Sequence, residues 1–265
     1  ELSIEDSYIK NYNKLAKGNS SSKKAYKLAG KKIKLGAISA IHEIINLEEL
    51  KQEAKKSGAT ITQYLTAVLI YSIYKANYVK NKDDKPIKVC IPVNLKKYFP
   101  SNTISNFFSY ITLEANMKKI KGDNFDEILD FVKKDFAKKL EQKEIEKTMS
   151  GNVKIGTNPF IRIIPLALKK PLVRLSYIEI RKYTTTTFSN IGRIGIIGKY
   201  QKYIDNFWML IAPEPIEKIK CSACSFDNNI VFTFTSILDD CSIENEFYKF
   251  LKQKNINVKI ESNGV

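Results

Sequence analysis

Apolar positions along this chain follow either a helical or an extended period, and the switches between the two outline its elements. Leu2, Ile4, Tyr8, Ile9, Tyr12 and Leu15 predict a short amphipathic helix over residues 2–15. The run Gly18-Asn19-Ser20-Ser21-Ser22-Lys23-Lys24 reads as a polar linker. Residues 33–45 are extended and apolar, which predicts a strand. Asn46, with Glu49 three residues later, caps the start of a helix that Gly58 stops. Thr60-Ile61-Thr62-Gln63 is a second capping box. It opens the strongest helical pattern in the chain, with Leu65, Val68, Leu69, Ser72, Ile73 and Ala76 on one face. After the turn Lys82-Asp83-Asp84-Lys85-Pro86, residues 87–93 form an apolar run without alternation, as expected of a strand covered on both faces.

The second half continues in the same manner. Residues 107–115 read as a strand, and 124–143 as one long helix with Phe125, Ile128, Leu129, Val132, Phe136 and Leu140 inward. Residues 158–180 are helical but interrupted by Pro159, Pro165 and Pro171. Strands are expected at 184–191, 207–211, 219–226 and 230–237, the last two joined as a hairpin across Asp227-Asn228-Asn229. A capped helix over 242–253 and a strand over 257–260 close the pattern. Single strands separated by helices, then a β-meander, indicate an α+β fold: a two-layer sandwich of helices on a mixed sheet with antiparallel pairs. No repeat or internal boundary divides it, so residues 1–265 read as one lobe, with a helical lead-in over 1–17 and a linker over 18–30.

Composition narrows the function classes. The chain is 43% hydrophobic and 27% charged, the balance of a folded protein. No run of about eighteen apolar residues exists, so no membrane partner is expected. The first seventeen residues lack an apolar signal core, and four cysteines (Cys90, Cys221, Cys224, Cys241) are too few for a disulfide framework, which together point to a reducing, cytoplasmic setting. The net charge of +16 invites a nucleic-acid reading, but the lysines are spread along the whole chain and only four arginines accompany them. Arginine dominates base and phosphate forks, so no specific nucleic-acid partner is expected.

The candidate chemistry is sparse. His42 is the only histidine, and strand alternation turns its neighbour Glu43 to the opposite face. A base without an orienting carboxylate or a nucleophile within reach is an incomplete site, so His42 reads as structural. Cys221 and Cys224 have zinc-knuckle spacing but lie within a strand, where a separation of three sends the sulfurs to opposite faces; no metal is expected. Gly192-Arg193-Ile194-Gly195-Ile196-Ile197-Gly198 matches neither the dinucleotide fingerprint nor the P-loop. Two segments stand out. In the first, Ile91-Pro92-Val93-Asn94-Leu95-Lys96-Lys97-Tyr98-Phe99-Pro100, a strand ends in polar residues, and the chain returns through Asn106-Phe107-Phe108-Ser109-Tyr110. In the second, a hydroxyl-rich strand, Thr184 to Thr187, delivers Ser189 and Asn190 into a glycine turn.

Together, Pro-Val-Asn-Leu-Lys-Lys-Tyr-Phe-Pro-Ser-Asn-Thr, Asn-Phe-Phe-Ser-Tyr and Phe-Ser-Asn-Ile-Gly-Arg resemble the C-terminal half of bacterial alcohol-acetyltransferase-like proteins. These belong to the superfamily of chloramphenicol acetyltransferase and the peptide-synthetase condensation domains. The resemblance implies two lobes per full-length chain, with acyl transfer from acetyl-CoA or another thioester to an alcohol or amine in a tunnel between them. The family's base is the second histidine of a His-His-x-x-x-Asp signature in the N-terminal lobe. Here His42 follows Ile41 and precedes Glu43-Ile44-Ile45-Asn46, so the signature is absent and the missing N-terminal lobe is the expected partner. On this resemblance the chain carries no catalytic residue and no bound cofactor, and is inactive alone. Asn94, Asn106, Ser109, Ser189 and Asn190 become tunnel liners, and Lys96, Lys97 and Arg193 candidates for the coenzyme A phosphates. A separated lobe exposes the apolar face its partner covers, so self-association is expected. The alternative is a superfamily relative that has lost catalysis and serves as a binding or scaffold module.

Overall fold

The structure, a computed structural model, describes residues 5–16, 23–81, 83–196, 198 and 200–265. The expected lead-in and linker fall partly on residues 1–4 and 17–22, which lie outside the described residues, as do Lys82 of the expected turn and Ile197 of the glycine loop.

The lead-in helix is one turn, α1 (Ser7–Lys10), with the Asp6 carboxylate accepting from the backbone N–H groups of Tyr8 and Ile9. Asn11 stops it: its side-chain amide donates to the carbonyls of Ser7 and Pro100, competing with helix continuation. The strand expected from residue 33 starts later, as β1 (Ser39–Asn46), because Gly36 turns the chain at φ +85. Asn46 caps α2 (Leu47–Lys56) by accepting from Glu49 N at 3.0 Å. Glu49 does not close a capping box; its carboxylate instead receives Asn257 N and Nδ2, tying the start of α2 to the end of the chain.

The second capping box forms as read. Thr60 Oγ1 accepts from Gln63 N at 3.2 Å and Gln63 Oε1 accepts from Thr60 N at 2.8 Å, opening α3 (Ile61–Ile73). Thr60→Ala should cost about 1 kcal/mol in a urea-unfolding titration. Tyr64 to Ile70 are all buried, so the middle of α3 is enclosed on every side. It runs through a π-helical turn, Tyr74–Tyr78, into α4 (Val79–Asn81). That turn aims Asn77 at residues 26–29, where its amide group bonds Tyr26 Oη and both backbone groups of Ala29.

β2 (Ile87–Asn94) leads through a 3-10 turn, Leu95–Lys97, to β3 (Phe108–Ala115) and α5 (Met117–Ile120). The long helix expected over 124–143 is α6 (Phe125–Lys139), and a further helix, α7 (Gln142–Thr157), follows where the sequence reading had none. Then come α8 (Pro159–Ile163) and α9 (Leu166–Arg181), divided at Pro165, with Pro171 accommodated inside α9. β4 (Thr186–Arg193), β5 (Ile219–Phe226), β6 (Asn229–Ser236), α10 (Ser242–Gln253) and β7 (Val258–Ser262) complete the chain. Cys241, at the α10 N-cap position, makes no side-chain cap; Asp240 Oδ1 instead accepts from Ser242 N.

The seven strands run in the order β3-β2-β4-β5-β6-β1-β7, with β2, β4 and β5 parallel and every other neighbour antiparallel. Helices α2, α3, α6 and α10 bury one face of the sheet around Phe188, Phe232, Phe234 and Phe247. This is the mixed-sheet α+β fold with flanking helices that the sequence pattern indicates.

One expected strand is absent. Residues 207–211 pair with no other strand; they lie over the sheet face opposite the helices. Cys224 Sγ, Ser222 Oγ and Thr235 Oγ1 donate to the carbonyls of Phe207, Met209 and Ile211 respectively. Side chains rising from β5 and β6 thus replace the ladder that a strand neighbour would supply.

Candidate functional site

The two segments singled out by sequence reach the same end of the sheet. β2 and β4 are parallel, so the loop after Asn94 and the glycine turn after Asn190 both leave at the carboxyl ends, where ligand crevices of open sheets form. The two strands pair only at Val89↔Thr186 and Cys90↔Thr187, although β2 continues to Asn94 and β4 to Arg193. Beyond the second pair they part, leaving a wedge between residues 91–94 and 188–191. Pro92 lies just past the last pair; without an N–H it cannot extend a ladder. Its other neighbour, β3, stays in register throughout, from Ile87↔Ala115 to Asn94↔Phe108.

The candidate liners take up different positions around this wedge. Asn190 lies on the helix side. Its amide donates to Thr62 Oγ1 at 3.1 Å, at the start of α3, and its Oδ1 accepts from Gly192 N at 2.9 Å. Gly192, at φ +80, makes the bulge that shifts β4 against β5 before Arg193↔Ser225. Ser109 is also on the helix side, buried, and its hydroxyl has no hydrogen-bond partner among the described residues. Ser189 is on the opposite face, beside Ser222 of β5. Asn94 and Asn106 are exposed at the sheet end. Asn94 acts locally, its Oδ1 accepting from Lys96 N at 2.9 Å to set the turn. Lys96 Nζ donates to Thr103 O at 2.8 Å and braces the loop, whereas Lys97 and Arg193 are exposed. The wedge is therefore edged by Asn190 on its helix side and Ser189 on the other face, while Arg193 lies past the bulge, paired with β5, and Ser109 stands one strand away.

His42 holds a place that register, not local sequence, defines. Ser189↔Ser222, Ser222↔Thr233 and Thr233↔His42 form one row across β4, β5, β6 and β1 on the face opposite the helices. His42 Nδ1 is 2.9 Å from Thr233 Oγ1, and its ring lies against Trp208 with centroids 5.7 Å apart. Burial holds its pKa below the usual histidine range. Three strand spacings separate it from Ser189, about 14 Å. Cys221 lies in the helix-side core and Cys224 under residue 207, on opposite faces, and no cluster of three metal-ligating side chains exists among the described residues.

Sequence reading missed a charged cluster that fixes the start of β4. Arg181, at the end of α9, bridges Glu214 at 3.1 Å and Glu217 at 2.9 Å. Fully buried Glu217 also accepts from Thr187 Oγ1, and Glu214 from Lys220 and Tyr177. Lys27 Nζ donates to the carbonyls of Arg181 and Thr184, and burial lowers its pKa to about 8. The only sequence signal was the charge run Glu214-Pro215-Ile216-Glu217 before a strand; of its partners only Lys220 is near in sequence, and Arg181, Tyr177 and Thr187 are 30 to 37 residues away. Thr62 was visible only as part of a capping box.

Comparisons with known proteins agree with this architecture. Residues 7–113 match the family described as alcohol acetyltransferase. No curated protein sequence matches the chain. Among solved structures, the epimerization domain from the third module of tyrocidine synthetase B superposes with a TM-score of 0.58 at 10% identity, over 88% of this chain and 52% of that one. Trichothecene 15-O-acetyltransferase from Fusarium sporotrichioides gives 0.56 at 9% identity, over 88% and 49%. A structure concerned with condensation domain-mediated chain release from the enacyloxin polyketide synthase gives 0.50 at 13%, over 87% and 44%. The chain thus spans about half the length of the structures it matches. Its fold is the one shared by these condensation, epimerization and acetyltransferase structures, and residues 7–113 match the alcohol acetyltransferase family.

Proposed function

We propose that this chain is the C-terminal lobe of a CoA-dependent O- or N-acyltransferase, and that it lines the substrate tunnel while an N-terminal lobe supplies the base. The observation that carries this reading is the parting of β2 and β4 after two residue pairs, with the Asn190 amide on one face of the opening and the Ser189 hydroxyl on the other. The half-length likeness to acyltransferase and condensation-domain folds supports it.

In acyl transfer, a base takes the proton of the acceptor hydroxyl or amine as the heteroatom attacks the thioester carbonyl. The tetrahedral oxyanion then collapses, breaks the C–S bond and expels the coenzyme A thiolate, which is reprotonated. This lobe's part is to position and to stabilise. Asn190, held by Thr62 and Gly192, presents a fixed amide at the wedge, and Ser189 offers a hydroxyl on its other side. Arg193 and Lys97 are the cations free to meet the phosphates of coenzyme A; Lys96 is committed to its loop. His42 stays outside the chemistry, engaged with Thr233 and Trp208.

The test joins the upstream lobe to this chain and follows thiol release from acetyl-CoA with a panel of alcohols and amines. The expected result is turnover in the joined protein and none in the chain alone. Turnover by the chain alone, or no turnover in the joined protein across the panel, would overturn the proposal.

A further inference from the structure

We infer that α9 is an interfacial helix that docks on an anionic lipid surface. None of its sixteen residues is buried, and the described contacts hold it to the body at its C-terminal end, through Tyr177 and Arg181. Leu168, Leu172, Leu175 and Ile178 recur at spacings of four, three and three, which sets them in one row along the helix. Their exposures are 62%, 52%, 64% and 38%. Lone surface leucines are ordinary, but a continuous row on a projecting helix is a contact surface awaiting a partner.

Charge names that partner. Lys169 and Arg174 stand on either side of this row, and with Lys170 they border a groove of about 410 Å³ on the rest of the helix, lined also by Leu166, Val173 and Tyr177. The first acidic residue of α9 is Glu179, in its last turn. Three of the chain's four arginines, Arg162, Arg174 and Arg181, fall in α8 and α9, on a chain of net charge +16. An apolar row flanked by cations is the pattern of a helix lying in the plane of a membrane interface, where leucines enter the acyl boundary and cations meet anionic headgroups. No helix among the described residues is long and apolar enough to cross a membrane, so the mode is adsorption rather than insertion.

Flotation with vesicles of phosphatidylcholine alone, and of phosphatidylcholine and phosphatidylglycerol in equal parts, tests this directly. The chain should float with the anionic vesicles and stay behind with the neutral ones, and about 0.5 M salt should release it. The variants L168E/L172E/L175E and K169E/K170E/R174E should each weaken binding at least tenfold while leaving far-UV circular dichroism and the urea midpoint unchanged. Equal binding to both vesicle types, no flotation, or undiminished flotation of both variants overturns the inference. So does a longer protein carrying the upstream lobe that no longer floats, since the leucine row would then be a contact between lobes. Flotation reads lipid contact and the thiol assay reads acyl transfer, so either proposal can fail without the other.

Discussion

Replacing Arg181 with alanine is expected to destabilise the fold by about 3–5 kcal/mol, the range for removing one partner of a buried ion pair. The reason is Glu217, which is fully buried and would keep only the Thr187 hydroxyl as a partner. The Arg181 side chain is itself a quarter exposed, at 25%, which puts the expectation near the lower end, about 3 kcal/mol. The double variant R181A/E217Q should recover much of the loss, because the orphaned charge goes with it. Urea midpoints measured across both variants decide the matter. A loss below about 1 kcal/mol for R181A would mean that the cluster behaves like a surface pair.

The second large effect is a fall in stability on raising the pH from 5 to 8. Glu43 on β1 and Glu244 in the first turn of α10 face one another in the helix-side core, and both Glu43 oxygens and Glu244 Oε2 have no hydrogen-bond partner among the described residues. Burial pushes Glu244 from 4.5 up to about 7, with Asp240 adding to it. Burial and the neighbouring Glu244 push Glu43 well above its ordinary value. The buried Cys221 thiol, raised by the same burial, is a further titratable group beside them. Both carboxyls bind their proton more tightly in the folded chain than in the unfolded one. Their contribution is therefore complete below about pH 4.5 and is lost as pH rises through 7, where Glu244 alone accounts for roughly 3 kcal/mol. His42, with a lowered pKa, changes stability in the opposite sense below neutrality, so the parent is best compared with E43Q/E244Q at each pH. The double variant should flatten the decline between pH 5 and 8; a parent whose stability is level or rising over that range would refute the assignment.

Much of the fold was legible in the sequence because local rules governed it. Thr60 and Gln63 bonded as their spacing demands, and the Asp227 turn, at φ +48, joined two strands whose apolar runs were evident. Errors came where a distant contact decided the outcome. Residues 207–211 have a strand's composition, but the sheet offers them hydroxyls on its face rather than an open edge. Residues 142–157 have a weaker apolar row, and they are helical because Ile145 and Met149 close a small core with Leu95, Phe99 and Phe107. The site was legible only as two polar strand ends. Their meeting depends on the parallel register of β2 with β4; alternation alone sets Ser189 and Asn190 on opposite faces, but which face carries the helices is decided by packing.

The seam of two residue pairs between β2 and β4 also bears on the assembly of the sheet. Hairpins β2–β3 and β5–β6 join segments close in sequence, whereas Lys88 and Thr185, which flank the seam, are 97 residues apart. Closing so long a loop costs chain entropy, which the two pairs, the Thr185 backbone and hydroxyl bonds to Lys88 and Tyr26, and the core shared by both sides of the seam together offset. The two hairpins are therefore the local units of the sheet, whereas the β2–β4 seam and the β1–β6 ladder, whose partners lie farther apart still, both wait on long-range closure.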